Sequence, residues 1–467
     1  MKMWSGRFRR PLNPEFEEWQ RSFPFDKRLL PQEIAASRAH ARALAGIGVL
    51  SAPELKSLLE ALQHIQHALE TDPHFLADCE AEDVHHFLER RLSELAGDPG
   101  LKLHAGRSRN EQIATDLRLF VRDAIDELQN TLVELVQAFL DRAAEAGNNA
   151  MPAHTHLQAA EPVLVAHWLL TYAEMLLRDH SRLGDCRERL NFCPLGSGAV
   201  AGATLPLDRE AMAAELGFTS PTANSIDATS DRDFAIEFVQ ATSLLGIHLS
   251  RWAEEMILFA TREFGFVRLP ETYSTGSSAM PQKMNPDALE LIRGKSGRLA
   301  GAATTLLMAA KGLPLAYNKD LQETQEPVFD AADTSLKCVK TATGVLRDCA
   351  FDFAHMRAAS ECGFMNAMAA ATYLAGKGVP FRTAHECIGK AVNVCLDRGC
   401  ELADLKLEEL KQFSPAFDQD FYSAVTLDAV LGCHDVPGGT APARVRAALQ
   451  NLEQRVRALQ EALHANA

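Results

Sequence analysis

Residues 113–140 read IATDLRLFVRDAIDELQNTLVELVQAFL, and their periodicity decides the fold class. Leu117, Phe120, Val121, Ala124, Leu128, Leu132, Leu135, Val136 and Phe139 fall on one stripe at 3.6-residue spacing, so the segment predicts a single long amphipathic helix. Working outward, Phe234 to Phe259 repeats the pattern through Phe238, Ala241, Leu245, Leu249, Trp252 and Met256. At 1.5 Å per residue such a helix is about 39 Å long. Ala288 to Met308 is a third such run, with Ala- and Gly-containing faces that permit close helix approach. Pro442 to Ala467 reads as a charged amphipathic helix. Turn-forming clusters at 97–100, 191–202, 265–278 and 433–441 separate the helical blocks. Alternating strand patterns are nearly absent, so the expected class is all-α, with long helices that suit a bundle.

Length and charge narrow the function. A chain of 467 residues corresponds to about three domains and can bury large cores. A formal net charge of −15 opposes binding to a phosphate backbone or an anionic membrane surface, so neither nucleic acid nor membrane is an expected partner. The richest apolar run, Val163 to Leu177, is interrupted by His167 and Glu174 and is too short to span a bilayer. Behind the basic residues of MKMWSGRFRRPLNPEFEEW no apolar stretch follows that would make a secretory signal, so a cytoplasmic location is expected. The ten cysteines, from Cys79 to Cys433, contain no CxxC and are expected to be reduced, mostly buried thiols.

Several segments carry chemistry. The loop GSSAMPQKMNP, Gly276 to Pro286, combines a flexible glycine, two serines and the compact cation Lys283, which suits either an anion-handling loop or a linker capping the next helix through Asn285 and Pro286. HAGRSRNEQ, His104 to Gln112, sets two arginines and Asn110 at the positive end of the long helix, where they can hold a ligand carboxylate or pair with nearby acids. In AHTHLQ, Ala153 to Gln158, the surroundings read as helix or loop, and no further ligand sits at metal spacing. His156 is therefore read as an acid or base, and no metal is expected. His85-His86 in EDVHHFLERRL reads as part of a solvated helix face or as support for a site. GSGAVAG, Gly196 to Gly202, does not follow a buried strand, so its glycines are read as turn or close-packing residues and not as a nucleotide loop. In AYNKDLQET, Tyr317, Lys319 and Gln322 offer polar contacts.

Taken together these segments resemble the argininosuccinate lyase branch of the fumarase/aspartase (delta-crystallin) superfamily, almost end to end. The loop at 276–286 resembles the signature shared across the superfamily, while GRSRNEQ at 106–112 and YNKDLQE at 317–323 resemble the argininosuccinate lyase branch in particular. MWSGRF at 3–8, SFPFDKRL at 22–29, PLGSGAVAG at 194–202, SDRDFAIEF at 230–238 and GKGVPFRTAHE at 376–386 agree. The resemblance implies a mostly helical subunit of three domains, here residues 1–106, 107–358 and 359–467, whose central helices form a long bundle in a homotetramer with active sites shared between subunits. It also implies reversible cleavage of argininosuccinate to fumarate and arginine, without metal or organic cofactor.

By the same resemblance Ser277 is the catalytic base, His156 the acid oriented by Glu290, and Lys283 with Asn285 stabilises the dianionic intermediate. Residue chemistry alone makes His156 the base, because a serine hydroxyl is a weak one unless nearby cations and donors favour its ionised form. Substrate contacts implied are Ser22, Asn110, Thr155, Tyr317 and Gln322, with Arg109 beside them, Asp83 facing the arginine end and His85 in support. The chain departs from the family at Thr324-Gln325, where an acid and a substrate-holding Lys are usual, and in smaller ways at Ala153-His154 and Trp19-Gln20. Competing readings are another fumarate-releasing lyase, acting on adenylosuccinate, malate or aspartate, and a non-catalytic crystallin-like or scaffold protein.

Overall fold

The computed structural model describes residues 9–77 and 80–466, so MWSGRF, Cys79 and Ala467 lie outside the described residues. Helix accounts for 68% of the structure, which places it in the all-α class. The four long runs become the helices Arg109–Ala146, Asp233–Phe259, Asp287–Ala310 and Pro442–Asn466. The first extends beyond the apolar stripe at both ends, because Glu111 takes the Ser108 N–H at 3.0 Å and so caps an earlier start.

Chain contacts define two compact units: one of residues up to Gln129, Ser181–Leu244 and Gly297–Leu336, the other of Asn130–His180, Leu245–Ser296 and Lys337 onward. In the first unit Phe120 meets Phe329 edge-on at 4.9 Å, and Ala36, Ala39, Leu119, Leu195, Met212 and Phe218 form a separate cluster under the turn at 194–202. Two glycines there are fixed by sterics. Gly196 has φ +87°, and a Cβ on it would meet the Arg209 side chain at 2.6 Å. Gly198 has φ +61°, and a Cβ would meet the Gly202 carbonyl at 2.7 Å. This agrees with the turn and close-packing reading of GSGAVAG.

In the second unit Phe139 packs on Tyr172 at 5.7 Å and on Trp252 at 6.0 Å, joining Arg109–Ala146, Val165–Leu190 and Asp233–Phe259 through their buried stripes. Residues from Ala370 to Val425 build their own core around Phe417 and Phe421. The nine described cysteines are free, and Cys186, Cys193, Cys338, Cys349 and Cys395 are buried.

Two expectations need correction. The segment around AHTHLQ is neither helix nor loop but an antiparallel hairpin, Ala150–Thr155 with Gln158–Leu164. Its sequence hid the strands because Ala and Pro are poor strand residues, and the two prolines face each other as the pair Pro152↔Pro162. The helix Val84–Ala96 is not a solvated face: Val84, His85, Phe87, Leu88 and Leu92 are buried, and Asp83 caps it by accepting the His86 N–H at 2.7 Å.

Candidate active site

A cavity of about 130 Å³ in the first unit is lined by Ser22, Asp26, Glu82, Asp83, His85, Arg109, Asn110, Ile113, Tyr317, Lys319, Gln322 and Gln325. Six of the eight expected substrate contacts therefore share one wall-to-wall space, drawn from four separate stretches of chain. Each is placed by local structure. Ser22 precedes the short helix Phe23–Asp26, and one turn later Asp26 takes its hydroxyl at 2.5 Å and the Val84 N–H at 3.0 Å. Asp83 is the cap of the helix Val84–Ala96, and Arg109 opens the long helix opposite it. Arg109 Nη1 lies 2.8 Å from Asp83 Oδ2 and 3.3 Å from Glu82 Oε2, so the arginine pairs with acids and lines the cavity at once. The pairing with nearby acids is thus the reading of HAGRSRNEQ that the contacts show. Tyr317 precedes the 3-10 turn Lys319–Thr324, on which Gln322 donates to the Gln20 carbonyl at 3.4 Å.

Behind this wall lies a buried charge network that sequence reasoning missed. His85 Nδ1 is 2.8 Å from Glu33 Oε2 and 3.8 Å from Asp116 Oδ2, and Glu33 also accepts from Gln112 at 2.9 Å and Ser37 at 3.0 Å. Arg107 Nη1 stands 3.7 Å from Glu33 and 3.0 Å from Ser37 Oγ. Burial acts against charge on all three titrating members. Burial alone would raise Glu33, but His85 and Arg107 outweigh it and hold its carboxyl well below the usual range. Burial would lower His85, yet the Glu33 carboxylate, with Asp83 and Asp26, outweighs it and holds the imidazole above its ordinary value. Burial, first, and the Glu33 charge push Asp116 well above the carboxylate range. Glu33, His85 and Asp116 have ligand atoms close enough to hold a metal. Arg107 and His85 already lie within ion-pair distance of Glu33, so the carboxylate is answered by the side chains around it.

Asp26 is the other missed residue. Burial and the nearby Asp83 raise it to about 7 against the pull of the Ser22 hydroxyl, leaving it half-ionised near neutrality. Its signal was present as a Ser-x-x-x-Asp spacing in SFPFDKRL, one helical turn apart. Glu33 and Asp116 gave no signal, since single acids in apolar stripes look like surface residues until tertiary packing encloses them.

The expected catalytic residues lie in the second unit, on exposed segments. His156 and Leu157 form the two-residue turn of the hairpin, both at positive φ, 57° and 58°. A two-residue turn with both φ positive normally takes Asn or Gly, so two larger residues there store strain of about 1 kcal/mol or more each. Thr155 is exposed beside them. His156 also borders a cavity with His154, His167, Trp168, Glu255 and Phe264, whose lining does not include Ser277, Lys283 or Glu290. The 276–286 loop is likewise a hairpin, with Thr275–Gly276 pairing Met284–Asn285. Its Ser277 hydroxyl oxygen accepts the N–H groups of Ala279 at 3.3 Å and Met280 at 3.1 Å, which favours negative charge on that oxygen. Lys283 is exposed on the same hairpin, and Glu290 is exposed on the helix Asp287–Ala310.

Residues 6–301 match the lyase family and residues 364–432 the argininosuccinate lyase C-terminal family. An argininosuccinate lyase of Acidobacterium capsulatum is 59% identical over 97% of this chain and 95% of its own. That of Koribacter versatilis is 57% identical over the whole of both chains. Among solved structures, EDDS lyase in complex with formate superposes with a TM-score of 0.86 at 24% identity, covering 97% of this chain and 92% of that one. A class II fumarase from Schistosoma mansoni does so at 0.74 and 17%, covering 85% and 90%. These two likenesses bear on fold alone, whereas the full-length identities decide the family: the chain belongs to the argininosuccinate lyases.

Proposed function

We propose that the protein cleaves argininosuccinate to fumarate and arginine, in arginine biosynthesis, by general acid/base elimination. The observation that carries the reading is the gathering of Ser22, Asp83, Arg109, Asn110, Tyr317 and Gln322 around one cavity whose acids and cations match an amino-acid end group. In the reaction a base takes the proton from the carbon beside a succinate carboxylate, and the electron pair moves into that carboxylate as a dianion. The pair then returns to form the fumarate double bond as the C–N bond breaks, and an acid protonates the departing guanidino nitrogen. Ser277 is the base, supported by the two backbone N–H groups on its oxygen and by the cation Lys283 on its hairpin. His156 is the acid and Glu290 orients it. Asn285 and Thr155 join the carboxylate-binding side.

The remaining expectations form part of the same proposal. The subunit divides into three domains at 1–106, 107–358 and 359–467, and it acts as a cytoplasmic homotetramer in which neighbouring subunits complete each site. Exposure of Lys283 and His156 on hairpins, with Ser277 half-buried, supports this, because elimination needs a site closed to water. No helix among the described residues is long and apolar enough to cross a membrane. Cleavage of adenylosuccinate, malate or aspartate and a non-catalytic crystallin-like role are not favoured.

Incubation with argininosuccinate, adenylosuccinate, malate and aspartate, following fumarate by its ultraviolet absorbance, tests the reading. Release from argininosuccinate is expected, and activity on adenylosuccinate alone overturns it.

A further inference from the structure

The cavity behind the His156 hairpin, about 590 Å³, is the larger of the two described, and apart from His156 its walls take no part in the elimination. Glu255 is its one carboxylate, and no Lys or Arg lines it among the described residues. Only one oxygen of that carboxylate is used. Oε2 accepts the Trp168 indole N–H at 2.6 Å and the Tyr172 hydroxyl, which stand one turn apart on the helix Val165–Leu190. Oε1 accepts nothing among the described residues and is not an enclosed atom, since Glu255 is half-buried and borders the cavity. A carboxylate fixed by two donors, with its other oxygen reachable and no counter-charge beside it, favours a cation. The adjoining wall is aromatic: Trp168 to Phe259, Phe259 to Phe264 and Phe264 to His154 follow one another with ring centroids 5.5 Å apart. Burial lowers His154 and His167 below their ordinary value, so at neutral pH neither imidazole opposes a cation.

We propose that this cavity is a second ligand site, for an organic cation of the guanidinium class, which donates to Glu255 Oε1 and lays its flat face on the aromatic wall. A guanidinium suits it better than an ammonium because it is planar, weakly hydrated and stacks on rings while its edge donates to a carboxylate. The volume admits the group that carries the cation as well. An occupant also touches the hairpin that bears His156, so binding here restrains the segment carrying the proposed acid. That consequence rests on the elimination mechanism above, whereas the binding does not.

Calorimetric titration of the full-length protein with n-butylguanidinium, n-butylammonium and the neutral n-butylurea tests this. The guanidinium is expected to bind about tenfold or more tighter than either of the others. Glu255→Gln keeps an acceptor for Trp168 and Tyr172 but puts an amide in place of the free oxygen, and it should weaken that binding about tenfold. Should Glu255→Gln not fold, Phe264→Leu, which removes one ring of the wall, is expected to weaken it severalfold. The acids of the first unit's cavity could also take a guanidinium, so Asp83→Asn is titrated beside them. Binding lost in Asp83→Asn and unchanged in Glu255→Gln or Phe264→Leu overturns the proposal. So does equal affinity for n-butylurea, which would leave Glu255 an anchor for Trp168 and Tyr172 only, and so does tighter binding of n-butylammonium. In the fumarate assay, n-butylguanidinium should lower kcat at saturating argininosuccinate in wild type and not in Glu255→Gln. A purely competitive effect overturns the link to His156. Absence of fumarate release by wild type would instead refute the elimination, and the titration still decides the site.

Discussion

The cavity of the first unit and the two hairpins of the second are built on opposite principles. Around the cavity the charges set on the long helix and its neighbours are answered, Arg109 by Glu82 and Asp83, His85 by Glu33, and Glu33 by Gln112 and Ser37, while Lys319 stands exposed at its edge. On the hairpins His156 and Lys283 are exposed, and the Ser277 hydroxyl oxygen accepts the backbone N–H groups of Ala279 and Met280. The proposed substrate contacts are gathered within one folded unit, whereas the proposed acid and base are carried on short turns. Substitutions in the two regions should therefore fail differently, the hairpins through rate and the cavity wall through stability.

The largest effect is expected at Ser277. Ser277→Ala should still bind argininosuccinate while turnover falls by about a hundredfold to ten-thousandfold, with no change in melting temperature. Near-normal turnover would remove Ser277 from the mechanism and blur the contrast between the regions.

Glu33→Gln tests the other side. It leaves His85 buried without its counter-charge, and loss of one partner of a buried pair costs about 3–5 kcal/mol. The pH window follows from the directions of the shifts. Glu33 is lowered, so its contribution is present above its unfolded value and lost on acidification. His85 is raised, so its contribution is present below its unfolded value and lost as pH climbs through its folded one. Chemical denaturation between about pH 5 and pH 6 should show the full loss. A change below 1 kcal/mol would mean the network is not paired as described.

The two regions also differed in how far sequence could reach them. The long helices were legible because Leu117 to Phe139 repeats an apolar stripe over many turns, which no strand could satisfy. Ser22, Asp83, Arg109, Asn110, Tyr317 and Gln322 were named from short family-like motifs, and the fold draws them into one cavity. Asp26, Glu33 and Asp116 were not, because a carboxyl becomes unusual only through what encloses it. The hairpin bearing His156 was misread because its strands contain Ala and paired prolines in place of β-branched residues.

Asp26 yields a smaller, pH-dependent effect. Its folded value of about 7 lies above the unfolded 3.8, so the folded state binds the extra proton and stability declines as pH rises between these values. The decline is at most about 4 kcal/mol. Asp26→Asn keeps an acceptor for the Val84 N–H and a donor for Ser22 but cannot ionise. Its stability, measured at pH 5 and pH 8, should vary less than that of wild type. Parallel curves would show that Asp26 does not titrate in this range.

The smallest effect separates strain from disorder on the hairpin. Leu157 is 70% exposed and sits at φ +58°, so Leu157→Gly loses little packing and relieves a left-handed conformation that glycine adopts freely. A gain of about 1 kcal/mol or less is expected in the stability of the hairpin, read by hydrogen exchange of its cross-strand amides. If the strained turn serves to present His156, the same substitution should lower turnover, because a looser tip spends less time with the imidazole in place. Stability and rate would then move in opposite directions at one residue, which is the signature of strain kept for function. A stabilised hairpin with unchanged turnover would show that the turn holds Leu157 in an unfavourable conformation for reasons of chain path alone.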